Sequence, residues 1–150
     1  MTFPEVTAEV IPMDEQHPAM VAARGSWRCV QAHDKQGWLD LMAEDVCIED
    51  PIGVGVTNPT GKGIRGKAEV GEFYDKNIGP AVLTIEPQES RVAGQESAHV
   101  LSLSTSFSNG VTTRVRGIFT YRVNDAGKLT NLRGYWTMAD MSFEQPAENA

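Results

Sequence analysis

The hydrophobic period changes partway along this chain, and that change constrains the fold more than any other feature. Ahead of Gly79-Pro80, apolar residues recur at intervals of three and four; after it they alternate. Helices first and long alternating strands last do not build the repeating strand–helix units of a parallel sheet. They predict an α+β domain with helices packed on one side of an antiparallel sheet.

In the first half, Pro18 suits an opening helical turn, with Asp14, Glu15 and Gln16 ahead of it where negative charge is favoured. Met20, Val21, Trp27, Val30 and Ala32 follow a rough helical period, which Gly25 weakens. Trp38 to Ala43 predicts a second short helix, and Val46 to Asp50 a short strand stopped by Pro51 and Gly53. Residues 53–66 hold five glycines and one proline and read as loop. Ala68, Val70, Phe73 and Tyr74 give a third helix, ended by Gly79-Pro80. In the second half, Leu83 and Ile85 alternate with Val82, Thr84 and Glu86. His99, Leu101, Leu103, Thr105 and Phe107 share one strand face, as do Val115, Gly117, Phe119, Tyr121 and Val123. Asn109-Gly110 is the strongest hairpin signal, and Asp125-Ala126-Gly127 turns the next strand back. About four long antiparallel strands can curve around a helix and leave an apolar pocket. Residues 1–13 and 143–150 read as tails around a single domain spanning 14–142.

Length and charge narrow the function. A chain of 150 residues makes one ordinary domain. A net charge of −7 and a pI near 4.9 argue against a nucleic-acid partner. There is no apolar run long enough for a membrane span and no basic-then-apolar opening, so the default expectation is a cytoplasmic protein without a membrane partner. Cys29 and Cys47 are too few for a disulfide framework.

Three motif-like stretches fall short of chemistry. Gly61-Lys62-Gly63-Ile64-Arg65-Gly66-Lys67 approaches a phosphate loop, but Ala68 stands where a magnesium-binding hydroxyl is needed. Cys29 and His33 lie four apart beside Asp34, with no further ligand near in sequence, so no metal is expected. There is no Gly-x-Ser-x-Gly elbow. The remaining candidate is Asp50. In a short strand Val46, Ile48 and Asp50 share a face, which sets a carboxylate against apolar neighbours, while Glu49 points the other way. Such burial raises a carboxyl's pKa and suits a proton acceptor. The same residue also fits a strand-end aspartate capping a loop.

Ala43-Glu44-Asp45 followed by Glu49-Asp50-Pro51-Ile52-Gly53 resembles the signature of bacterial ketosteroid isomerases. Gly66-Lys67 before Glu72-Phe73-Tyr74, Tyr121-Arg122-Val123-Asn124 before Ala126-Gly127-Lys128, and Tyr135-Trp136 keep the same order. The resemblance, over residues from about 20 to 140, is to the ketosteroid-isomerase-like branch of the nuclear-transport-factor-two-like superfamily. It implies a curved antiparallel sheet wrapped by three helices into a cone around a deep apolar pocket, and a homodimer. It implies no cofactor. It also implies proton transfer on a β,γ-unsaturated 3-ketosteroid, with Asp50 as the base.

In the family a tyrosine and a protonated aspartic acid hold the developing oxyanion. Here those positions fall on Ser26 and on Phe119 (Ile118 with a one-residue slip), so the usual donors are missing. The resemblance offers Tyr74 as a substitute donor, directly or through water held by Ser26, and Trp136 as a pocket aromatic with an N–H. Met42, Leu103, Val115, Phe119 and Trp136 complete the expected pocket for a small apolar polycyclic ligand, and they equally suit an ordinary core. Three functions stay open at this point: an isomerase-like enzyme with non-standard oxyanion donors, a steroid or lipid binder without turnover, and a polyketide cyclase or dehydratase on the same scaffold.

Overall fold

The computed structural model describes residues 13–145. Most of both expected tails lies outside them. Among the described residues the helices are α1 (Met13–Gln16), α2 (Pro18–Gln31), α3 (Lys35–Asp40) and α4 (Gly66–Asn77). The strands are β1 (Met42–Glu49), β2 (Ile64–Arg65), β3 (Val82–Ala93), β4 (Glu96–Ser106), β5 (Thr112–Val123), β6 (Leu129–Tyr135) and β7 (Met141–Glu144). Phe143 and Glu144, at the start of the expected C-terminal tail, thus pair in β7 with Thr113 and Thr112.

The α+β class holds, but the sheet corrects the expected curved antiparallel cone. Its order, β2-β1-β6-β5-β4-β3, is an open path whose end strands β2 and β3 pair on one side only. It is also mixed, because β1 runs parallel to β6. Alternation in a sequence encodes which face a side chain takes and not which way a neighbouring strand runs. The direction follows from the connection: β1 is separated from β6 by a loop, α4 and the β3–β4–β5 meander, and β6 then returns alongside it. β6 and β7 share one edge of β5, pairing with Ile118–Val123 and Thr112–Val115 respectively.

Local chemistry sets the elements around the core. Pro18 opens α2, and His17 caps it: Nδ1 accepts the Ala19 N–H at 3.0 Å, while Nε2 donates to the Gly94 carbonyl at 2.8 Å and ties the helix to the β3–β4 turn. Ala19, Ala22, Ala23, Ser26 and Val30 form a small, buried face that lets α2 sit close on the sheet. Gly25, which weakens the helical pattern, has a packing role: a Cβ there would lie 3.1 Å from Leu41 Cδ1. The second helix ends at Asp40, earlier than its pattern suggests. Leu41 accepts the Leu129 N–H at 2.8 Å, and Met42 pairs with Leu129, so strand pairing takes over the apolar run. Asn109-Gly110 makes its hairpin, with Gly110 at φ 87° and the Phe107 N–H donating to Val111 at 2.9 Å. None of the helices among the described residues is long and apolar enough to cross a membrane.

Candidate active site

Parallel pairing delivers the ends of β1 and β6 side by side. Ile48 registers with Leu132 and Glu49 with Arg133. Glu49 turns to one face and meets Arg133 at 3.1 Å. Asp50 takes the other face, where its Oδ1 accepts the Trp136 indole N–H at 2.6 Å. Gly134 lies beneath this pair. A Cβ at that position would stand 2.7 Å from Asp50 Oδ1, 3.0 Å from Trp136 Nε1 and 3.1 Å from the Phe119 ring. The chain beyond Asp50 is pinned. The Asp50–Pro51 peptide is cis, the Ile52 N–H donates to Gly134 at 2.9 Å, and the Thr57 hydroxyl donates to the Asp50 carbonyl. Fully buried Asn58 donates to the Pro51 carbonyl at 2.9 Å and accepts the Gly63 N–H at 3.0 Å, holding the glycine-rich loop in place.

Asp50 lines a cavity of about 590 Å³ between the helices and the sheet. That volume is ordinary for a small-molecule site. The walls are mostly apolar, with Val30, Ile48, Leu83, Leu101, Phe119 and Leu132 among them. Burial in these surroundings raises the Asp50 carboxyl above the usual carboxylate range, and the Trp136 hydrogen bond opposes part of that rise.

A second polar group borders the cavity. The Trp27 N–H donates to the Tyr121 hydroxyl at 2.9 Å, and the Trp38 N–H to Ser26 Oγ at 3.0 Å. His99 packs edge-on against both Trp27 and Tyr121, with ring centroids 4.8 and 5.4 Å away. Its Nε2 lies 2.8 Å from Ser97 Oγ, which itself donates to the Ala19 carbonyl, so Nε2 carries the proton. Nδ1 then accepts from Ser90 at 2.7 Å. Burial lowers the His99 pKa to about 4 and keeps the ring neutral.

Of the residues singled out in the sequence, Asp50, Ser26, Leu103, Val115, Phe119 and Trp136 all line this cavity. Two do not. Met42 is buried at the start of β1, paired with Leu129, away from the lining. Tyr74 is also off the lining, with its ring 5.9 Å from Trp38. Trp38 both packs on Tyr74 and donates to Ser26, so an indole occupies the place proposed for a relayed tyrosine. The Trp136 N–H is engaged by Asp50 rather than turned to a ligand. Tyr121 and Trp27 are cavity residues that sequence reasoning passed over as polar groups. The signal was present: Tyr121 follows Val115 and Phe119 on one strand face, and Trp27 adjoins Ser26. His33, half of the candidate metal pair, bonds instead to the Ala81 carbonyl at 2.6 Å. The near phosphate loop supplies β2 and the start of α4.

Comparison with known proteins agrees with this architecture. Residues 23–132 match the SnoaL-like domain family. The Mycobacterium tuberculosis protein RV0760c is 54% identical, with a TM-score of 0.83; the match covers 85% of this chain and 97% of that one. A computationally designed 17-OHP binder is 52% identical, with a TM-score of 0.85 and coverage of 86% and 100%. A Delta 5-3-ketosteroid isomerase from Mycobacterium sp. is 52% identical, with a TM-score of 0.84 and coverage of 85% and 99%. With a SnoaL-like domain across most of its length and more than half its residues shared with such relatives, this chain belongs to the ketosteroid-isomerase-like branch of the nuclear-transport-factor-two-like superfamily.

Proposed function

We propose that this protein moves a proton between two carbons of a 3-ketosteroid or a similar enolisable polycyclic ketone, with Asp50 as the base. The observation that carries the reading is a carboxylate on the wall of an apolar cavity, held by one N–H donor from Trp136. The ketone's α-carbon, also next to the β,γ double bond, presents its C–H to Asp50. The carboxylate takes the proton, the C–H electrons form a new C=C bond, and the carbonyl π electrons move onto oxygen as a dienolate. Asp50 returns the proton to the γ-carbon, which yields the conjugated ketone. A single group acts as acid and base in turn, so the reaction needs no cofactor. The apolar walls exclude water that would otherwise solvate the carboxylate and weaken it as a base. The 52% identity to a Delta 5-3-ketosteroid isomerase supports the substrate class.

Conjugation of a β,γ-unsaturated 3-ketosteroid, followed by ultraviolet absorbance, tests the reading. Asp50→Asn keeps an acceptor for Trp136 and removes the base, so turnover falls to background. In the same variant the melting temperature rises at neutral pH, because an ionised carboxylate no longer has to be kept in apolar surroundings. Turnover that survives Asp50→Asn refutes the proposal.

A second reading, steroid binding without turnover, is favoured by one observation: Phe119 lines the cavity where the family resemblance puts an acidic donor. Tight binding of a ketosteroid by a wild-type protein that never conjugates it decides for the binder.

A further inference from the structure

The hydroxyls of Tyr121 and Ser26 are both buried, with 3% and 2% of each residue exposed, and both line the cavity. Each oxygen already accepts an indole N–H, from Trp27 and Trp38 respectively. A hydroxyl that accepts still has its own proton to place. The Ser26 hydroxyl donates its proton to the Tyr121 oxygen, and among the described residues no hydrogen bond takes the Tyr121 proton. The basic nitrogen nearest to Tyr121 is closed to it, because Nδ1 of His99 takes the Ser90 hydroxyl and Nε2 faces Ser97. The Asp50 charge acts on Tyr121 through space without a bond between them. A buried O–H bordering an apolar hollow, with its oxygen polarised by a donor behind it, is an acceptor-seeking group.

We propose that the Tyr121 hydroxyl donates to the carbonyl oxygen of the bound ketone, and that Trp27 and Ser26 position and polarise it from behind. In catalytic terms this deepens the reading of Asp50 as base, since the same hydroxyl then holds the dienolate oxygen. Tyr121 comes from β5, two residues beyond Phe119 on the same face, so it compensates for the donor absent at Phe119. Trp27 donates to its oxygen at 2.9 Å, and the Ser26 hydroxyl also favours negative charge there. Both make the phenol a better hydrogen-bond donor. Burial outweighs them and holds the phenol's pKa well above its ordinary value, so Tyr121 keeps its proton and acts as a donor rather than as a second base.

Progesterone carrying carbon-13 at its conjugated ketone is the probe, because binding it requires no turnover. Hydrogen bonding moves that carbon's resonance downfield. The bound signal is expected downfield of its position in an apolar solvent, both in the wild type and in Asp50→Asn. Tyr121→Phe keeps the ring and loses most of that displacement. Where turnover is measurable, it also lowers kcat by about 10²–10³, with a much smaller change in KM. Trp27→Phe retains the Tyr121 hydroxyl and gives a partial upfield return, which keeps the test decisive should Tyr121→Phe fold poorly. A full downfield displacement retained in Tyr121→Phe, or no change in Trp27→Phe, overturns the proposal. Loss of the isomerase reading has a different signature, turnover that persists in Asp50→Asn, and leaves the carbon shift unaffected.

Discussion

Gly134→Ala tests how tightly the Asp50–Trp136 pair is held. Gly134 lies in β6 with an ordinary extended backbone, so alanine meets no conformational penalty there. In an open strand position the change would stabilise the chain by about 0.4–1 kcal/mol, through the unfolded state alone. Here the new methyl would stand 2.7 Å from a carboxylate oxygen, 3.0 Å from the indole nitrogen bonded to it and 3.1 Å from a ring that is 2% exposed. The first distance is far inside van der Waals contact, and Asp50 and Trp136 yield only by swinging into the cavity they line, at the expense of their 2.6 Å bond. Overpacking of this kind costs about 1–3 kcal/mol, so the sign of the substitution reverses. For a chain of this size that corresponds to a fall in melting temperature of roughly 2–12 °C. Thermal unfolding by circular dichroism measures it. A double-mutant cycle isolates the cause: in an Asp50→Ala background the shortest contact is gone, and the cost of Gly134→Ala shrinks by about 1 kcal/mol or more. Equal costs in both backgrounds, or a neutral single substitution, would show that the carboxylate is not packed as described.

Two further outcomes follow from buried polar groups. Below pH 6.5 the unfolded chain protonates His99 while the fold, with its His99 pKa near 4, does not. Stability present at pH 7 is therefore lost as pH falls through that window, by about 2 kcal/mol at pH 5. Denaturant unfolding at the two pH values, with a nuclear magnetic resonance titration of the His99 ring, checks it; a ring that titrates near 6.5 contradicts the assignment. Asn58→Ala strips the Pro51 carbonyl and the Gly63 N–H of their shared partner. It lowers stability by about 1–3 kcal/mol and speeds amide exchange between residues 51 and 63, and unchanged exchange there would be the contrary result.

The legible part of this sequence was its periodicity. The strand faces that carry Leu101, Leu103, Val115 and Phe119 were readable because alternation is a local property, and those faces line the cavity. Asp50 was readable because an acidic residue stands out at the end of an apolar strand face. The direction of β1 was not, since it depends on which strand the chain later returns to. Met42 was misplaced for the same reason: its apolar run fits a helix end or a strand start, and pairing with Leu129 decides between them. Tyr74 enters only through the resemblance, and no local pattern says that Trp38 stands beside Ser26. The Trp27–Tyr121 bond joins residues 94 apart, a distance over which sequence patterns carry no information.

The same-direction pairing of β1 and β6 has a consequence for how the molecule comes into being. Strands that run together need a long connection, and here the acid and its indole partner are separated by 86 residues. Contacts of such span form slowly and late, after shorter loops have closed. While the chain is being made, Asp50 remains an ordinary wet carboxylate until β6 and Trp136 have emerged. Its hydrogen-bonded place on the cavity wall depends on a residue made 86 positions later, so a molecule cut short before Trp136 keeps several of its strands and lacks the pair.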